Sequence, residues 1–250
     1  MSGHSHWATI RRKKGAADAK KGQVFTRVAK EIVLAARSGG DPALNFRLAL
    51  AMEKARAVNM PKDSIERAVK RGTGEDKDGA SFEELTLEGY GPNGSAIMVE
   101  CVTDNRNRTV ADLRHMFNKN NGSLAEPGAV AWQFDRLCYF SFPSSQLSFD
   151  AAFELGIESG AEDVTEEDGM IEMTGPVEAF KMLGDALRSK KVTPEEGGLR
   201  LQARNEIELE FDQTMQFLKV IEAIEDLDDV QDVYHNVKLS DEVLASLEEE

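Results

Sequence analysis

Apolar positions recur with helical spacing through the first third of the chain and with strand spacing after it. Phe25, Val28, Ala29, Ile32 and Ala36 predict one buried stripe of a helix over residues 23–37, with Lys20, Arg27, Lys30 and Arg37 on roughly the opposite face. Ser38-Gly39-Gly40 ends that helix. Asp41-Pro42 then offers a cap and a proline at the first position of a second helix, which runs to about residue 59 with Leu44, Leu48, Ala51 and Ala55 inward. Met60-Pro61 breaks it. A short third helix follows, with Ile65, Ala68 and Val69 inward, Lys62, Arg67, Lys70 and Arg71 outward, and Gly72 at its end. Helices this short predict a small bundle that needs the preceding arm or a neighbour to complete its core. Residues 72–80 are turn-rich and apolar-free and read as a linker.

Beyond the linker the period falls to two. Leu85 and Leu87, then Ile97, Val99 and Cys101, alternate on either side of Gly91-Pro92-Asn93-Gly94, which predicts a β-hairpin. Residues 104–109 lead into a helix with Val110, Leu113 and Phe117 inward, stopped by Asn120-Asn121-Gly122, and a strand is expected from Ala129 to Phe142. A helix (149–159), an acidic strand pair (162–174), a helix (177–189) and a strand (198–206) complete a βαββαβ, ferredoxin-like unit. A last helix with Phe217, Ile221 and Ile224 and a strand over 230–237 have no domain of their own, so they are assigned to the ββαβ unit begun at Phe82. The tail 247–250 is expected to be frayed. The fold class is therefore α+β, in three parts. Residues 1–76 form a helical domain, 81–133 with 207–250 form a discontinuous α/β domain, and 134–206 form a ferredoxin-like domain inserted into it.

Charge changes this picture most. Residues 1–77 hold 17 Lys and Arg against 8 Asp and Glu, while the remainder holds 13 against 37. The concentration is greatest at the start: Arg11, Arg12, Lys13, Lys14, Lys20 and Lys21 are interrupted by a single acid, Asp18. An acidic chain does not need such a block for solubility, and its simplest use is to meet a polyanion. Arg11, Arg12, Lys13, Lys14, Lys20, Lys21, Arg27 and Lys30 are the expected nucleic-acid contacts, DNA or ribosomal or transfer RNA. A solvated tail, or attraction to an acidic surface, is the competing reading of the same residues. No helix-turn-helix with base-reading side chains is evident. Arg106 and Arg108, just ahead of a helix, form a candidate anion site, against which stands simple pairing with Asp104 or Asp112. The acidic domains are assigned to contact with proteins of transcription or the ribosome.

Other chemistry is thinly represented. Cys101 and Cys138 sit in apolar strand-like runs and read as small buried hydrophobes. His4 and His6 lack further ligands for a metal, and His115 and His235 are isolated. No phosphate loop or nucleophile elbow occurs, and the acid runs look like solvated turns, so neither an enzyme nor a cofactor is expected. No apolar run approaches the ~20 residues that span a bilayer, which predicts no membrane association. The start of the chain is poor in acids, as a mitochondrial transit peptide is, but it shows no amphipathic apolar stripe; a cytoplasmic location is expected.

Five stretches together resemble the YebC family over essentially the whole chain. They are Ser2-Gly3-His4-Ser5-His6-Trp7 with Arg11–Lys14, residues 59–68 (Asn-Met-Pro-Lys-Asp-Ser-Ile-Glu-Arg-Ala), Glu88-Gly89-Tyr90-Gly91-Pro92, residues 103–109 (Thr-Asp-Asn-Arg-Asn-Arg-Thr), and Gly128-Ala129-Val130-Ala131-Trp132. The resemblance implies a three-domain fold with a discontinuous second domain. For bacterial members it implies DNA-binding transcriptional regulation, while a mitochondrial relative activates translation and others look like ribosome-associated factors that help translation through proline runs. Ala125-Glu126-Pro127 stands where a glycine-containing turn is expected, which leaves that loop in question.

Overall fold

The structure is a computed structural model that describes residues 18–75 and 82–249, with the backbone alone at 18–21, 241, 248 and 249. Three helices come first: α1 (Asp18–Ala36), α2 (Phe46–Ala57) and α3 (Lys62–Gly72). Val28, Ile32 and Ala36 are buried as their spacing requires. Helix α1 already includes Asp18–Gly22, since Ala and Lys are good helix formers and one glycine costs only about 1 kcal/mol. Helix α2 starts later than expected. Asp41 turns back on the Ala43 N–H, and Asn45 caps the helix by accepting from the Leu48 N–H at 3.1 Å. Leu44 is thereby left in a turn, 89% exposed rather than inward, while Leu48, Ala51 and Ala55 are buried.

The chain divides into two compact units, one of residues 1–30, 78–135 and 202–250, the other of residues 31–77 and 136–201. This grouping cuts across the three segments expected from the sequence, because short helices cannot close a core by themselves.

In the first unit, β1 (Glu83–Tyr90) and β2 (Ala96–Thr103) form the expected antiparallel hairpin. Helix α4 (Arg106–Lys119) and a short strand β3 (Ser123–Ala125) follow. Much later in the chain come β8 (Ile207–Glu208), α7 (Phe211–Glu225), β9 (Val230–His235), β10 (Val237–Lys238) and α8 (Asp241–Glu249). The sheet order is β3-β1-β2-β9, and β8 and β10 pair separately. Leu85, Ile97, Val99 and Cys101 meet Leu113 and Phe117 of α4 and Phe217, Ile221 and Ile224 of α7 in one core. Val243 and Leu247 also enter it, so the residue expected to fray is anchored by an apolar i, i+4 pair.

In the second unit, β4 (Phe134–Pro143), α5 (Phe149–Glu158), β5 (Asp163–Glu167), β6 (Met170–Pro176), α6 (Phe180–Ser189) and β7 (Glu196–Ala203) give a sheet of order β5-β6-β4-β7. That is the ferredoxin-like arrangement. Its core of Phe140, Phe142, Ile171, Met173, Leu183 and Leu187 is completed by Phe46 and Leu50 of α2. The Phe46 ring lies 5.7 Å from Phe140 and 5.9 Å from Phe180. This sheet is the neighbour that the helices need. At the end of α3, a Cβ on Gly72 would stand 2.4 Å from the Val33 carbonyl oxygen and 2.6 Å from the Ala36 Cβ. Gly72→Ala is therefore expected to destabilise the protein by about 2 kcal/mol through overpacking against backbone, read from urea unfolding.

Candidate functional site

Arg11, Arg12, Lys13 and Lys14, with His4 and His6, lie outside the described residues, and Lys20 and Lys21 are placed on α1 by their backbone alone. The rest of the expected contact set behaves differently from its helical-wheel position. Lys30 is buried, with its ammonium 2.8 Å from Asp229 Oδ1 and 2.9 Å from the Asp228 carbonyl oxygen. Arg27 donates to the Leu227 carbonyl at 3.4 Å and Gln23 to that of Asp226 at 3.1 Å. The face expected to point outward is thus docked along residues 226–229. A wheel drawn from apolar residues alone cannot anticipate an acidic loop that makes the opposite face a contact too. The outward cations of α3 do stand exposed: Lys62, which reaches Glu66 at 3.6 Å, Arg67 and Lys70.

The candidate anion site at Arg106 and Arg108 holds an anion of the chain itself. Arg108 Nη2 donates to Asp229 Oδ2 at 2.8 Å and to Asp104 Oδ1 at 3.0 Å. Thr109 and Thr103 also donate to Asp229 Oδ2, at 2.8 and 3.1 Å. Asn105 caps α4 by accepting from the Arg108 N–H, and the Asn105 N–H donates to Thr103 Oγ1. The 103–109 stretch therefore folds around one carboxylate. Arg106 stays at the surface, 4.0 Å from Glu83. Burial alone would raise the Asp229 carboxyl, but hydrogen bonds from Lys30, Arg108 and Thr109 hold it at about 2. Burial, helped by the charge of Asp229, pushes the Cys101 thiol up to about 12, which leaves it unreactive at neutral pH. Cys138 is also buried, and its thiol donates to the Pro176 carbonyl.

A second buried acid was not singled out from the sequence. Glu88, on β1, accepts from the backbone N–H groups of Gly128 (2.6 Å), Val130 (2.7 Å) and Ala131 (2.8 Å). Burial would raise this carboxyl too; the N–H donors outweigh it and bring it below its ordinary value. The loop so held contains the turn that the sequence left in question. Ala129 donates to the Glu126 carbonyl across Pro127 and Gly128, and Gly128 has φ +89°, the pattern of a type II turn. The strand expected from Ala129 begins only at Phe134, because Gly128, Val130 and Ala131 turn their N–H groups to Glu88, and Ala129 its own to the turn, rather than to a sheet. Tyr90 and Trp132, both exposed, donate to the same Ala129 carbonyl, which fixes two aromatic rings at the surface. Glu88→Gln is expected to cost about 2 kcal/mol, since an amide brings a donor to face backbone donors. Denaturant unfolding followed by tryptophan fluorescence would measure it.

Models of known families match both parts of the chain. The TACO1/YebC N-terminal domain matches residues 5–75, and the TACO1/YebC second and third domain matches residues 82–237. The chain belongs to the TACO1/YebC family. Relatives named probable transcriptional regulatory protein include one from Geotalea uraniireducens, 49% identical over 97% of this chain and 98% of its own length. Another, from Syntrophotalea carbinolica, is 48% identical over 99% of both chains. A solved structure, that of a conserved hypothetical protein from Aquifex aeolicus, is 36% identical with a TM-score of 0.80, covering 91% of this chain and 94% of that one. The names carried by the relatives are those of regulators. Among the described residues no helix is long and apolar enough to cross a membrane, and no three His, Cys, Asp or Glu side chains are grouped as a metal site would need.

Proposed function

We propose that this chain is a regulator of gene expression that binds nucleic acid through its basic N-terminal segment. The observation that carries this reading is the separation of charge, 17 cations against 8 acids up to residue 77 and 13 against 37 beyond it. Arg11, Arg12, Lys13 and Lys14, with Lys20 and Lys21, supply the phosphate contacts. The acidic remainder repels phosphate and faces protein partners in transcription or on the ribosome. DNA is the first target, in line with the names of the relatives. Ribosomal or transfer RNA is the second reading. It is favoured by the cations themselves, which suit phosphate contact but present no set of base-reading side chains for a major groove. Crosslinking in cells followed by identification of the recovered nucleic acid tests both. Genomic DNA supports the first, ribosomal or transfer RNA the second, and recovery of neither overturns the proposal.

A further inference from the structure

Gln23, Arg27 and Lys30 stand at i, i+4 and i+7, on one face of α1. Their side chains reach the carbonyl oxygens of three consecutive residues, Asp226, Leu227 and Asp228, and Lys30 adds Asp229 Oδ1. This loop follows the C-terminal end of α7, where unsatisfied carbonyls and the helix dipole attract cations. Of residues 22–27 none is fully buried; Gln23, Phe25 and Arg27 are half-buried, and polar contacts to the loop supplement whatever Phe25 contributes.

We propose that residues 226–229 act as an internal stand-in for phosphate, an autoinhibitory latch that a polynucleotide must displace before Arg27 and Lys30 can join the binding surface. The inference rests on the nucleic-acid-binding reading above and concerns the regulation of that site. The exchange is chemically balanced. Phosphate oxygens replace the carbonyl and carboxylate oxygens around the two cations. Asp229 Oδ2 keeps Arg108, Thr109 and Thr103, so release of Lys30 does not strand the carboxylate without a counter-charge. The latch lowers affinity for any polyanion in proportion to the fraction of molecules that are open.

Asp229→Asn tests it. The amide oxygen remains with the three donors on the Arg108 side, which turns the NH2 group toward the Lys30 ammonium, donor against donor. Asp228→Asn is the control, because it removes the same charge one residue away while Asp228 holds Lys30 only through its backbone. Binding of a labelled random-sequence DNA duplex, and separately of bulk transfer RNA, is followed by anisotropy. Asp229→Asn should tighten binding at least about fivefold more than Asp228→Asn does. Amide hydrogen exchange over residues 23–30 should speed up in Asp229→Asn and not in Asp228→Asn. Gln23→Ala, which alters no charge and leaves the Asp229 cluster intact, should tighten binding about twofold. Equal affinities for the two Asn variants, with Gln23→Ala unchanged, overturn the latch while binding itself survives. Failure of the wild-type chain to bind either probe overturns the nucleic-acid reading and the latch with it.

Discussion

Asp229→Ala is expected to destabilise the protein by about 3 kcal/mol, more than Glu88→Gln does. The variant leaves the buried Lys30 ammonium without its counter-charge and deprives Thr103, Thr109 and Arg108 of a common acceptor. Arg108 retains Asp104, and Lys30 can reach water by undocking the first half of α1, which keeps the loss from being larger. Urea unfolding followed by circular dichroism measures it; a loss under about 1 kcal/mol would reduce the cluster to the standing of an ordinary surface ion pair. The same carboxylate sets a pH dependence. Its folded value, about 2, lies below its ordinary 3.8. A depressed acid stabilises the fold above its unfolded value and loses that contribution as pH falls through the folded value. Stability should therefore decline between about pH 4 and pH 2, by about 2 kcal/mol from this group. Glu88, also depressed, adds to the decline in the same direction. In Asp229→Ala the acid slope should be shallower than in the wild type.

Simultaneous replacement of Arg11, Arg12, Lys13 and Lys14 by alanine is expected to have the largest effect on binding. If each meets one phosphate, the slope of log affinity against log salt should flatten by about 3. Near 0.1 M salt that is a loss of about two to three orders of magnitude. The slope is the decisive quantity, because a variant that merely misfolds loses affinity without altering the slope of its folded fraction. An unchanged slope would remove the run from the site and shift attention to Lys62, Arg67 and Lys70 on α3. Unfolding of the variant should match the wild type, which separates this result from that of Asp229→Ala.

Periodicity and charge, the two properties that depend on neighbours along the chain, were enough to specify a good deal. The stripe Val28, Ile32, Ala36, the hairpin through Leu85 and Ile97, the ferredoxin-like order of β4 to β7 and the split between a basic start and an acidic remainder were all legible without coordinates, as was the family. Packing decided the rest. Leu44 came out of the core because Asn45, not Asp41, found the helix N–H groups, and Leu247 went in because α8 had a core to meet. Above all, Glu88 and Asp229 look like any other acids in a stretch with 37 of them. What distinguishes them is a set of donors far along the chain: the N–H groups of Gly128, Val130 and Ala131 for one, Lys30 and Arg108 for the other. A buried charge is defined by groups that only folding brings within 3 Å. The sequence alone therefore located the basic segment, and tertiary structure alone showed that Arg27 and Lys30 are held against the chain's own oxygens.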